Sequence, residues 1–148
     1  MSHFTTVETQ FKDIACLAEA LKKLGFEVET RKFNLLHVKN YSGDPDPQKC
    51  CIRAWRRTQD RQLSGYSELG FFWDANKKLG MRADHMDTGV SHDGKTQNLE
   101  YAKPWCKGLK KAYAYEEVMA TIRQKGYAIK EENTDQQQHV HITIQRSF

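Results

Sequence analysis

No run of apolar residues in this 148-residue chain approaches the roughly 18 to 20 that cross a bilayer, so no membrane-spanning helix is expected. Cys16, Cys50, Cys51 and Cys106 form no C-x-x-C pair, which excludes a thioredoxin-type redox motif and the usual zinc-ribbon spacing. H-E-x-x-H, an EF-hand loop, G-x-S-x-G and S-x-x-K are all missing. Gly25, Gly43, Gly65, Gly70 and Gly80 stand singly, so no glycine-rich phosphate loop is present, and nothing calls for a cofactor. The opening Met1-Ser2-His3-Phe4-Thr5-Thr6 has neither a basic segment nor an apolar core of a secretion signal, which predicts a cytoplasmic address. What remains is a chain with 39% hydrophobic and 11% aromatic residues, too apolar for disorder. Its length is near that of one domain, and its net charge of +4 is mild.

Residues 3–11 are rich in β-formers and read as an opening strand. Asp13 offers an N-cap to a helix over Ile14–Leu24, whose Ile14, Leu17, Leu21 and Leu24 share a face. Lys22 and Lys23 suit its last turn and Gly25 its left-handed stop. Phe26–Glu29 and Leu35–Tyr41 read as strands, completing a β-α-β-β unit. Two prolines mark Ser42–Pro47 as a loop, and Cys51–Arg57 follows as a strand. Thr58–Gly65 is a polar connection, and Glu68–Trp73 with Leu79–Asp84 flank Asp74–Lys78 as a hairpin. In that hairpin Leu69, Phe71 and Trp73 are expected to face the core and Phe72 the solvent. Residues 87–103 carry little apolar period and read as a long surface loop. A helix over Trp105–Lys125, broken near Gly108, places Tyr115, Val118, Met119 and Ile122 on one stripe. Strands at Tyr127–Lys130 and His139–Gln145 close the chain, with Val140, Ile142 and Ile144 on one face and His139, His141 and Thr143 on the other.

Leu21–Val28 lines up with Ile122–Ile129, and each segment later reaches a His-Val pair, His37-Val38 and His139-Val140. The shared order is helix, glycine stop, aromatic, strand, turn, strand, a pseudo-repeat of α-β-β units or a convergence of common helix endings. Both readings predict one α+β domain over residues 1–148, with two helices packed on one face of a mainly antiparallel sheet.

The most distinctive candidate surface is Arg53, Trp55, Arg56 and Arg57, with Arg61 beyond them; residues 50–66 hold four arginines against one aspartate. On a strand Arg53, Trp55 and Arg57 share a face, and guanidinium beside indole can grip an acidic protein surface, phosphate or bases. A protein partner is the leading reading, nucleic acid on the same surface the alternative. A third reading is a metal-dependent enzyme using His85, Asp87 and His92, residue types that ligate metals and move protons. His3, His139 and His141 would also converge if the terminal strands paired. The cysteines read as reduced and structural: Cys16 lies in an apolar stripe, and adjacent Cys50 and Cys51 would point to opposite faces.

Ser2–Val7 with Thr9, Gln10 and Asp13, the central Leu69–Trp73 and Ala83-Asp84, and Tyr113-Ala114-Tyr115 through Val118 to Gly126-Tyr127 and Ile142–Arg146 share one likeness. Together they resemble a conserved open-reading-frame family of cyanobacteria, red-algal plastids and other bacteria, catalogued as domain of unknown function 1257. The Asp44–Lys49 loop, the arginine-rich strand and His85–Tyr101 depart from that pattern. The resemblance implies no catalytic set. It implies a small companion of AAA+-type ATPases, hence an accessory or adaptor role.

Overall fold

Alternation of apolar and polar residues along short β-rich runs builds the central layer. The computed structural model describes residues 4–33, 35–40, 42–56, 68–88 and 103–146. Strands β1 (Phe4–Val7), β2 (Glu27–Thr30), β3 (Ile52–Trp55), β4 (Leu69–Trp73) and β5 (Leu79–Asp84) form one sheet in the order β1-β5-β4-β3-β2. Every neighbouring pair is antiparallel. The registers bring Ile52, Phe71, Met81 and Val7 into one cross-strand row, and all four are fully buried.

Helix α1 (Ile14–Lys23) covers that row with Leu17, Ala20 and Leu21. Asp13 caps it as expected, its Oδ1 accepting from the Cys16 amide at 2.9 Å. The helix ends at Gly25, φ 91°, where the Phe26 amide reaches back to the Leu21 carbonyl at 3.1 Å. A short α2 (His85–Thr88) follows β5, and α3 (Pro104–Gln124) runs unbroken through Gly108. Cys106, Leu109 and Tyr113 of α3 join α1 and the sheet in one hydrophobic cluster. Two long helices on one face of a mainly antiparallel sheet make this an α+β fold. Strands β6 (Tyr127–Thr134) and β7 (Val140–Arg146) pair only with each other, with a bulge between Ile129 and Glu131.

Several sequence expectations need correction. Leu35–Tyr41 is not a strand of the sheet. Its described residues fold back at an Asx turn, where Asn40 Oδ1 accepts the amides of Ser42 (3.0 Å) and Asp44 (2.9 Å). The paired segment, bridged at Leu36–Cys50 and Lys39–Pro45, lies across the outer face of the sheet, where Val38 and Cys50 press on Gly70. Asp46, fully buried there, holds Arg82 by two hydrogen bonds of 2.8 and 2.9 Å, and Arg82 also reaches Thr6. The sheet is therefore covered on both sides. Trp73, at the end of β4, is half-exposed, whereas Phe72 lies over Gly80. Asp87 and Thr88 are buried in α2 rather than exposed in a loop, tied by Trp105 Nε1 to the Asp87 carbonyl (2.8 Å) and by the Lys103 amide to the Thr88 carbonyl (2.8 Å). The rest of the expected loop, 89–102, and the connection 58–65 lie outside the described residues. The α-β-β order does occur twice, with Gly126 (φ 72°) matching Gly25, but β2 finds its partner at Ile52–Trp55 rather than at His37-Val38.

Candidate functional site

The arginine-rich strand lands on β3 with Arg53 and Trp55 on the outer face and Ile52 and Ala54 inward. Antiparallel pairing sets Glu29 opposite Arg53, and Glu27 opposite Trp55. Arg53 lies 3.6 Å from Glu29 and 3.7 Å from Glu68, with its guanidinium 4.6 Å from the centre of the Trp55 ring. Arg56 turns toward the end of α1, donating to the Leu24 carbonyl and stacking 4.4 Å over Phe26. That carbonyl belongs to the C-terminal end of the helix dipole, where a cation is stabilising. Both described arginines are thus engaged inside the molecule. Arg57 and Arg61 lie outside the described residues.

The histidine groupings fall partly outside the described residues, His3 and His92 among them. Asp87 is buried in α2, His85 sits on the same short helix, and His92 lies outside the described residues. His139 and His141 belong to the β6–β7 pair whereas β1 pairs with β5, so the terminal strands do not meet. Both histidines instead face Asp135, with His141 Nε2 at 2.8 Å and His139 Nδ1 at 3.6 Å from Oδ2. Among the described residues no group of three His, Cys, Asp or Glu could hold a metal. The four cysteines are free and buried, Cys50 against Gly70 and Cys51 in the core on the opposite face. Burial pushes Cys16 up to about 11 and Cys50 and Cys106 up to about 12, which keeps them as unreactive thiols at neutral pH.

An open apolar surface lies elsewhere, on α3. This helix carries two apolar stripes. Cys106, Leu109 and Tyr113 pack toward α1, while Tyr115 and Val118 turn toward the hairpin. The expected stripe of Tyr115, Val118, Met119 and Ile122 lies on α3, where Ile122 is buried but Val118 is 47% exposed. A helix with apolar residues on two sides needs two partners, and the β6–β7 pair supplies only part of the second. Between them runs a trough of about 850 Å³, with Gly108, Ala112, Ala114, Tyr115 and Val118 on one wall and Val140 and Ile142 on the other.

Polar contacts hold the trough's edges. Lys111 Nζ donates to the Gln138 carbonyl at 2.6 Å, joining α3 to the hairpin turn. Tyr115 hydrogen-bonds Glu132 on β6, and that bond, with a smaller contribution from burial, raises its phenol above the ordinary value. Lys23 of α1 pairs with Glu116 and lies 4.2 Å over the Tyr115 ring. In the turn, Asp135 Oδ1 accepts the Gln137 and His139 amides, both at 2.9 Å. The hydrogen bond to His141 and those amides hold its carboxyl below the ordinary range. Such a site offers apolar contact area and cations.

A family model described as a protein of unknown function, DUF1257, matches residues 20–143. The chain belongs to that family. The matched span takes in the last turn of α1 (residues 20–23), the sheet from β2 onward and the whole trough. No curated protein and no solved structure matches the chain significantly. No helix among the described residues is long and apolar enough to cross a membrane.

Proposed function

We propose that this member of the family is a non-enzymatic, cytoplasmic accessory protein that docks a protein partner, and that the α3–hairpin trough is its principal docking surface. One observation carries the reading. The second apolar stripe of α3 and the apolar face of the hairpin meet over a trough that the described chain leaves open, with Val118 47% exposed in its wall, and the hairpin carries two more exposed isoleucines, Ile129 and Ile144, beyond the trough. Contiguous apolar surface rimmed by polar groups is what protein interfaces are made from. The partner class is an AAA+-type ATPase, on the strength of the resemblance of the chain to companions of such enzymes. The surface of Arg53, Trp55, Arg56, Arg57 and Arg61 remains a second contact, in which Trp55 is the half-buried aromatic anchor and the described arginines bring charges already balanced or capped.

The test is affinity capture from the native cell with quantitative mass spectrometry. Wild type is compared with Val118→Glu and with Arg53→Glu plus Arg57→Glu. Capture of an ATPase that Val118→Glu abolishes, and that the arginine variant retains, supports the trough. The opposite pattern overturns it in favour of the sheet face. Nucleic acid recovered in a steeply salt-dependent way, and lost with the arginine reversals, would replace protein docking by the nucleic-acid reading.

A further inference from the structure

We infer that the trough takes an amphipathic helix of the partner, with its apolar stripe against Tyr115, Val118 and Ile142 and carboxylates at the end that meets Lys107 and Lys111. This deepens the docking reading above and rests on it.

Shape supports a helix. From Gly108 to Val118 the wall is eleven residues of α3, ten steps and about 15 Å at 1.5 Å per residue, which matches about three turns of a second helix. Gly108, Ala112 and Ala114 are the small residues along this wall, and small side chains let a helix axis approach closely. A helix laid in such a groove presents residues spaced i, i+3, i+4 and i+7 to it.

Charge sets the polarity. Among the described residues lining the trough there are two lysines and a histidine but no carboxylate, and the carboxylates at its edges, Glu132 and Asp135, are engaged by Tyr115 and by His139 and His141. The acids of α3 are committed elsewhere: Glu116 is buried against Lys23, and Glu117 accepts from the Tyr113 hydroxyl at 2.9 Å. Lys23 is neutralised by that pairing. Lys111 has only a neutral carbonyl as partner, leaving two of its three donors for an incoming carboxylate. Lys107 is exposed one turn earlier, on the same side by the i, i+4 rule, and no described carboxylate pairs with it. The cations therefore cluster toward the N-terminal end of α3 and the apolar contacts beyond them. An acidic end followed by an apolar stripe is the complement.

The test is selection from a displayed library of fifteen-residue helices, with leucine fixed at four positions of one face and the remaining positions randomised, against the full chain. Expected is enrichment of Asp and Glu at one end of the recovered helices. Their affinity should fall at least threefold with Lys107→Glu plus Lys111→Glu and be lost with Val118→Glu, both variants folded by circular dichroism, and Lys107→Glu alone, which breaks no described contact, should weaken binding in the same direction. Enrichment of Lys or Arg, or affinity indifferent to the lysine reversals, overturns the proposal. So does sedimentation showing a dimer that Val118→Glu dissociates, since a second copy would then occupy the trough. If no helix is enriched over the Val118→Glu background while native capture still depends on Val118, the acidic helix falls and the docking surface stands. If capture is also indifferent to Val118, both fall.

Discussion

Gly70→Ala tests whether the Leu36–Cys50 segment lies against the outer face of the sheet. A Cβ at Gly70 would stand 2.5 Å from Cys50 Sγ and 3.0 and 3.1 Å from the two Val38 methyls. Ordinary contacts of this kind are near 3.5 Å, so about 1 Å of movement is required. Neither neighbour can swing aside. Both are fully buried, and Cys50 is fixed by reciprocal hydrogen bonds with Leu36 of 2.7 and 2.8 Å. Overpacking of this kind costs about 2–3 kcal/mol. At about 2–4 °C per kcal/mol for a chain of this size, the melting temperature should drop by about 4–12 °C. Were the site open, the same change would stabilise by about 0.5 kcal/mol, because alanine restricts the unfolded chain and suits a strand better than glycine. The sign alone is thus informative. Cys50→Ala removes the nearest atom at its own cost of about 1 kcal/mol, and the double variant should be at least 1 kcal/mol more stable than the sum of the singles. Urea unfolding followed by circular dichroism measures all four proteins. Additivity within about 0.5 kcal/mol would refute the contact and reopen the outer face, with Arg53 and Trp55, as the main candidate surface.

Three further outcomes are expected. Tyr113→Phe removes the acceptor of the Lys12 and Asp13 amides (3.0 and 3.1 Å) and the donor to Glu117, and should cost about 1–2 kcal/mol in the same unfolding assay; no change would mean that the hydroxyl does not hold α3 to the start of α1. The Asp135 carboxyl, held low by His141 and by turn amides, stabilises the hairpin above the ordinary carboxylate pKa, and that contribution disappears as pH falls through the lowered value. A carbon-detected NMR titration should place Asp135 below the other exposed carboxylates and show His141→Ala moving it up; an unmoved value would remove the pairing. Cys16, Cys50 and Cys106, with burial-raised thiol pKa values, should resist iodoacetamide at pH 8 in the folded protein and react after denaturation, read by mass spectrometry; rapid native labelling would contradict their burial.

Local signals predicted local structure well. Asp13, Gly25 and Gly126 marked helix ends because caps and left-handed stops depend on one or two residues. The alternation in β4 likewise identified the core-facing Leu69 and Phe71, though not the half-exposed Trp73 at the strand's end. What failed was information held at long range. Leu35–Tyr41 has strand composition, but the slot beside β2 that would have received it stays an edge, and β2 pairs with β3 across more than twenty residues. The engagement of Arg53 depends on that same pairing. Its signal was present in the alternation Glu27-Val28-Glu29, which places acids opposite Arg53 and Trp55 once the two strands are aligned. In α3, helical periodicity revealed the stripe of Tyr115, Val118 and Ile122, but periodicity alone does not say which of two stripes faces a core. The presence of a second stripe, Cys106, Leu109 and Tyr113, was the clue that the first belongs to another surface.

The architecture of the hairpin makes this surface a natural place for a partner. A two-stranded ribbon is marginal in water without a third strand or a packed helix. Here Ile129 and Ile144 sit directly opposite each other, yet both are exposed, and α3 supports the ribbon mainly through Tyr115, Lys111 and the half-buried Val140 and Ile142. The five-stranded sheet by contrast has helices on one face and the Leu36–Cys50 segment on the other. A ligand in the trough would bury apolar area on α3 and the ribbon together, adding the cover that the ribbon lacks. Anything that binds only the folded form stabilises it, by about 2.7 kcal/mol at a hundred times its Kd. That gain would fall first on the element with the least support of its own. A partner that filled the trough as proposed would therefore act as the missing layer of a two-layer unit.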